Sequence, residues 1–316
     1  MLSLAVLALV WAHLAVGNDM SAGEILATLT GRGDGEFTIF RLRLPAAALG
    51  AAVGAAFGVA GGLFQTVLRN PLASPDILGV SGGASLAAAT GILVLSLGGA
   101  AISLAALVGA FAAAVAIYVL AWSDGVSGYR FVLIGVGVAF AVQAALAYLV
   151  SRADVNDVRE ALVWMVGSLG TPDWSEVGLL VLALAVLLPA VAAVSPRVRI
   201  MQLGDETAGG LGVPAETTRL GALALAVALA AVGTAFAGPV AFVAFVSAPV
   251  ARRLAPGGGL ALVPSALVGA ALVLAAALVG EHLFPMSVPV GIVTGLVGAP
   301  YLLYLLARGQ RTGRTV

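Results

Sequence analysis

The chain is 316 residues long, 61% hydrophobic and 9% charged, with fifteen basic residues balanced by fifteen acidic ones. So much apolar surface could not be buried by a soluble domain of this length, and a polytopic helical membrane protein is the class that fits. Zero net charge gives no reason to expect a nucleic-acid partner, and the absence of cysteine excludes disulfides and thiolate metal sites.

Runs of roughly 17–25 apolar residues mark spans. About ten candidates meet that criterion, at 1–17, 44–68, 77–97, 100–121, 130–150, 175–194, 215–236, 238–254, 260–280 and 288–307. The N-terminal run lacks a basic flank and reads as the first span rather than a signal peptide. Span 44–68 carries Gly50, Gly54, Gly58 and Gly62 at four-residue spacing, a face on which another helix can approach closely. Gly291 and Gly295 repeat the device in the last span. The two prolines of Arg69-Asn70-Pro71-Leu72-Ala73-Ser74-Pro75-Asp76 stop a helix, and Asn70 and Asp76 can cap or turn the chain. Residues 154–169 read as an amphipathic helix, capped by Asp154 or Asn156 and anchored by Trp164, with Trp174 just beyond. It is either an interfacial connector or a lid.

A polar island, Ser195 to Arg219, separates two apolar halves. Within it Asp205 can cap a short helix and Gly212 can end it. Such a helix is too short and Gly-rich to persist unaided in water. Ala208 and Leu211 lie on one side of it, so it should rest against something else, as a docking helix does. Placing this loop in the cytoplasm and alternating the spans puts Arg69, Arg130, Arg197, Arg199, Arg219, Arg252, Arg253 and the tail arginines inside. Most acids then lie outside, and both termini are cytoplasmic.

No enzymatic machinery is evident. Every basic residue is Arg, so no P-loop lysine exists, and neither a His-Glu-x-x-His run nor a Gly-x-Ser-x-Gly elbow occurs. No catalytic residue and no metal ligand set is assigned. Acids sit in loops rather than within spans, which weakens a proton-coupled carrier. Mid-span polar groups are few: Gln65, Gln143, Thr234, Ser247 and Thr294. Each serves either interhelical hydrogen bonding or a path lining.

Four stretches carry a family resemblance. Arg43-Leu44-Pro45, Gly54, Gly61, Gln65 and Arg69–Pro75 with Leu78-Gly79 resemble the first signature of the FecCD family, the permeases of ABC importers for ferric siderophores, haem and cobalamin. Leu203-Gly204-Asp205-Glu206 with Ala208, Leu211, Gly212 and Val213 is similar to that family's coupling helices. Gly238–Leu254 resembles its third signature, and Pro289–Pro300 its last. The similarity runs through nearly the whole chain in order.

The resemblance implies a single all-α permease domain over 1–316 of the type II ABC importer kind, with about ten transmembrane helices and no cofactor of its own. ATP and Mg would be handled by ATPase subunits gripping Leu203, Gly204, Asp205, Glu206, Ala208, Leu211 and Gly212. A second permease, the same chain or a different one, and an extracytoplasmic binding protein would complete the assembly in the cytoplasmic membrane. Arg43 matches the first arginine of the family's Arg-Leu-Pro-Arg motif, which receives acids of the binding protein. The second is Ala46 here, and Arg41 is the substitute. Val250 stands where a His often follows the proline of the third signature, which favours a siderophore over cobalamin as cargo; a haem or cobalamin importer is the alternative. The inner gate is placed at the turn containing Ser123, Asp124 and Ser127, the outer gate near 154–169, and the lining at Gln143 and Thr294, with Gln65 and Ser247 as further path candidates. The rival class is a secondary transporter or channel that works without ATP.

Overall fold

Pro45 shapes the entry to the most buried helix of the protein. It has no N–H to give and its ring would strike the carbonyl four residues back. The chain answers by widening Phe37–Arg43 into a π-helical stretch, in which the N–H of Leu44 reaches the carbonyl of Ile39, before the long helix Leu44–Val67 begins. The computed structural model describes residues 1–76, 79–122, 128–255, 257 and 259–311; at 128–129, 131–132, 305–306 and 308–311 only the backbone is described.

The described residues hold no strand. Their α-helices are α1 (Leu2–Ala15), α2 (Ala22–Leu29), α3 (Leu44–Val67), α4 (Val80–Leu93), α5 (Ala100–Ala121), α6 (Gly128–Arg152), α7 (Val155–Val166), α8 (Trp174–Met201), α9 (Asp205–Gly210), α10 (Ala215–Ala237), α11 (Val243–Leu254), α12 (Leu262–His282) and α13 (Val290–Arg311). Each predicted run coincides with one of them: α1, α3 to α6, α8 and α10 to α13. Six helical segments, containing α3, α5, α6, α8, α10 and α12, are long and apolar enough to cross a bilayer. α2 was not expected; it is signalled by a capping box, in which Ser21 and Glu24 satisfy each other's backbone N–H groups.

α3 is the axle. Of its apolar window 78% is buried inside the chain, against 22% for α5 and 17% for α6. The glycine ladder explains this: a Cβ on Gly54 would run into the carbonyl of Gly269, one on Gly58 into that of Ser265, and one on Gly61 into that of Ala244. α12 and α11 therefore lie backbone to backbone on α3, as small-residue faces permit without a hydrophobic driving force. The device expected in α13 is only half present. Gly291 abuts the Val166 carbonyl of α7, but nothing lies within 4 Å of where a Cβ of Gly295 would be.

Two predicted spans within the chain turn out to be half-helices, and the first span, α1, is as short as one of them, with 14 residues. α4 has 14 residues and α11 has 12, about 21 and 18 Å at 1.5 Å per residue, short of a hydrocarbon core of about 30 Å. Non-helical chain leads into each, because Pro71, Pro75 and Gly79 precede one, and Gly238 and Pro239 the other. Gly79 (φ 80°) and Phe242 (φ 65°) are left-handed at the junctions. Hydropathy counts apolar residues whatever their backbone, so it merged these segments with their helices. The polar island also differs from its reading as a loop. α8 runs on to Met201 and α10 starts at Ala215, leaving only the short α9 between them.

Candidate functional site

At the end of α8 the chain turns through Gly204 (φ 111°) into α9, a helix of six residues. Its C-terminal end is closed as the sequence predicts. Gly212 (φ 80°) gives its N–H to Gly209 and Val213 gives its N–H to Ala208, at 3.0 and 2.9 Å. This is a Schellman closure with an apolar contact between the same two residues, Ala208 and Val213, which pack with Met201.

Two expectations for α9 are corrected. Asp205 does not cap the helix; Gly204 stands at the cap, with no side-chain hydrogen bond. Ala208 and Leu211 do not share a free face either. Ala208 is fully buried against the protein's own Met201 and Val213, while Leu211 is 60% and Leu203 64% exposed. A six-residue helix needs an internal anchor to persist, and Ala208 is that anchor. Outward around α9 lie Glu206, Thr207, Gly209 and Gly210 of the helix and the flanking Leu203 and Leu211.

Asp205 is held instead by two arginines from distant parts of the chain. Arg69 Nη2 donates to Oδ1 at 2.7 Å and Arg219 Nη2 to Oδ2 at 2.6 Å. Arg69 also donates to the Met201 carbonyl at 2.8 Å, and Arg219 Nη1 to Glu216 at 2.7 Å. The clasp thus ties the end of α3, the end of α8, α9 and the start of α10. The Arg219 hydrogen bond, helped by the charges of both arginines, holds the Asp205 carboxyl below its ordinary value despite some desolvation.

The path candidates separate. Gln143 of α6 is exposed and lines a groove of about 390 Å³ with Asp76, Ser81, Ser85, Met165, Gly291 and Gly295. Residues of both α6 and α13 line this groove. Thr294 looks the other way, into a separate apolar cavity of about 210 Å³ beside Phe242, with its hydroxyl donated to Gly291 at 3.2 Å. Gln65 and Ser247 are buried in helix packing. Gln65 joins α3 to α11 by donating to the Phe245 carbonyl at 2.9 Å and accepting from Arg252 at 2.6 Å, and Ser247 donates to Val243 one turn back at 2.6 Å. Ser123, Asp124 and Ser127 lie outside the described residues.

Sequence reasoning gave Asp76 a capping or turn-forming role and missed its position in this groove. Its Oδ1 accepts from the Ser81 hydroxyl at 2.5 Å, the N–H of Phe242 lies toward its carboxyl, and Oδ2 is buried without a partner. It therefore links the N-terminal ends of α4 and α11, where helix dipoles favour an acid. A proline-flanked acid before a Gly-rich helix start was the signal available.

On the opposite end, Arg43 is spent within the protein. It donates to the carbonyls of His13 (2.8 Å), Val16 and Gly17 (2.7 Å), the orphan acceptors at the end of α1. Arg41 is exposed beside Asp173, which caps α8 through the N–H groups of Ser175 and Glu176. Trp174 donates its indole N–H to the Phe40 carbonyl at 2.7 Å. α7 occupies residues 155–166, within the expected 154–169; Asp154 stands at its cap position but makes no side-chain cap bond, and the chain just past the helix is bonded to the end of α10 and to the last signature: Ser168 N–H to Ala237 at 2.8 Å and Gly291 N–H to Gly167 at 3.1 Å.

A profile of the FecCD transport family matches residues 4–308. The chain belongs to the FecCD family. Among its FecCD relatives, the achromobactin transport system permease protein CbrC of Dickeya dadantii is 41% identical, covering 96% of this chain and 89% of that protein. The ferric enterobactin transport system permease protein FepG of Escherichia coli is 34% identical, covering 98% of this chain and 95% of that one. A solved structure described as an inward-facing metal-chelate type ABC transporter has the same fold, with a TM-score of 0.83, 23% identity and 97% of each chain covered. This FecCD chain is thus a multi-pass membrane permease.

Proposed function

We propose that the protein is the membrane-spanning subunit of an ATP-driven importer of ferric siderophores, working by alternating access. The observation that carries this is the FecCD match through residues 4–308, with relatives named for achromobactin and ferric enterobactin. The ledge supports it: α9 is anchored from within by Ala208 and leaves Leu203, Glu206 and Leu211 outward for a partner. ATP and Mg act in separate ATPase subunits, and this chain contributes no catalytic group. Closure of those subunits pushes on α9, which shifts the permease between two states by contacting them differently in each. A second permease subunit completes the path along the α6–α13 groove, an extracytoplasmic binding protein delivers the chelate at the opposite end, and both termini lie in the cytoplasm. Arg41 is the arginine better placed than Arg43 to meet that binding protein.

The test is uptake into proteoliposomes holding the permease with its ATPase and binding protein, fed gallium(III) complexes of siderophores. ATP-dependent accumulation is expected. Accumulation driven by an imposed ion gradient without ATP would replace this reading with a secondary transporter.

A further inference from the structure

Arg69 stands in a backbone conformation that suits glycine. It follows the last turn of α3 with φ 50°, its N–H reaching Thr66 at 3.3 Å and that of Asn70 reaching Gln65 at 3.1 Å. This is the left-handed closing position of a helix, where glycine is usual and any other residue carries a cost. Non-glycine residues persist in that region where the surroundings impose it, and such sites cluster where a protein works. Here the side chain is what holds the residue: its guanidinium is bonded to Asp205 of α9 and to the carbonyl of Met201 at the end of α8. The closing hydrogen bonds offset part of that cost locally, and the side-chain bonds add a tie to α8 and α9.

The other side of this turn leads inward. Gln65, one turn before Arg69, is the residue that receives Arg252 and donates to Phe245, both in α11. Phe242, just before α11, has its N–H toward Asp76 at the groove. Asp205 is thus bonded to Arg69, Arg69 closes the helical turn that begins at Gln65, and Gln65 is bonded to Arg252 of α11, whose other end lies at the groove. α9 has no comparable polar tie to α5 and α6 among the described residues.

We propose that Arg69 and Asp205 are positioning residues that make α9 and the cytoplasmic end of α3 move as one body, so that a push on α9 reaches α11 through Gln65 and Arg252. This rests on the importer reading above. It adds a route: the stroke enters the buried α3–α11 pair and leaves the peripheral helices to follow.

The chain has no native cysteine, so a pair introduced at exposed Leu182 of α8 and exposed Leu254 of α11 takes spin labels cleanly. The labelled permease is reconstituted with its ATPase, and the label-to-label distance is compared without nucleotide and with ADP–vanadate. The parent should show a nucleotide-dependent change. In Arg69→Gly and in Asp205→Asn, measured with the ATPase at saturating concentration, the shifted population should fall about threefold or more. Asp205→Glu should restore it. Arg69→Gly relaxes the backbone at its site, so loss of folding does not confuse the result. Variants that shift as the parent does, or a parent that binds ATPase without any change at α11, overturn the relay and leave the importer reading standing. A parent that fails to bind the ATPase sinks both.

Discussion

Gln65 closes two bonds to one helix at once: its Nε2 donates to the Phe245 carbonyl at 2.9 Å while its Oε1 accepts from Arg252 at 2.6 Å. An amide offers a donor and an acceptor side by side. Gln65→Leu keeps the volume and abandons both partners, of which the guanidinium is partly buried. A buried polar group left without its hydrogen bond costs about 1–3 kcal/mol, more for a charged one. The thermal midpoint of the purified permease should fall by several degrees, and an unchanged midpoint would show that water reaches Arg252.

The crossing of α3 on α12 makes a sharper contrast. A methyl at Gly58 would meet the Ser265 carbonyl, whereas at Gly295 nothing lies within 4 Å. Gly58→Ala should destabilise by about 1–3 kcal/mol, as overpacking does. Gly295→Ala should be neutral in stability. Thermal melts in detergent read both, and equal effects would mean that the two helices are free to separate.

How far the sequence speaks for itself can be judged from such positions. The spacing of Gly54 and Gly58 announces a close helix contact, and Gly212 announces the end of α9, because both depend on local sequence alone. The partner of Asp205 was not readable. Its arginines stand 136 and 14 positions away, and a carboxylate at a helix start looks the same whether it caps or bridges. Ala208 was misplaced for a similar reason: in so short a helix a small apolar residue serves an internal anchor as well as a docking face. The half-helices α4 and α11 escaped because a hydropathy window cannot distinguish a buried extended segment from a helix. Arg43 matched a motif in sequence while its guanidinium is engaged by α1 carbonyls that only the fold brings near.

The Asp205 clasp has a pH signature. Its carboxyl is held below its ordinary value in the folded protein, the Arg219 hydrogen bond being the largest favourable cause. A depressed acid contributes stability above its unfolded value, near 3.9, and loses it as pH falls through the lower folded value. The clasp should therefore hold from neutrality down to about pH 4 and release below it. A spin label at Leu203→Cys should become mobile only in that acid range. In Asp205→Asn it should be mobile at every pH, and a parent whose label loosens near neutrality would point to a different titrating group.

Leu211 and Ala208 separate docking from folding. Leu211 is 60% exposed and Ala208 fully buried within the ledge. Leu211→Asp puts a charge where an ATPase groove would receive an apolar side chain, and leaves the closure by Gly212 and Val213 intact. Loss of an anchoring side chain at an interface commonly costs 2 kcal/mol or more, about thirtyfold in affinity. Co-purification of the ATPase should fall by about that factor while the thermal midpoint of the permease stays unchanged. Ala208→Arg should also lose the ATPase, but through the ledge itself: the buried guanidinium would expel α9 from Met201 and Val213, and limited proteolysis should then cut between Met201 and Val213. If Leu211→Asp retains the ATPase at parental affinity, the partner grips another surface, and the outward face of α9 is no docking site.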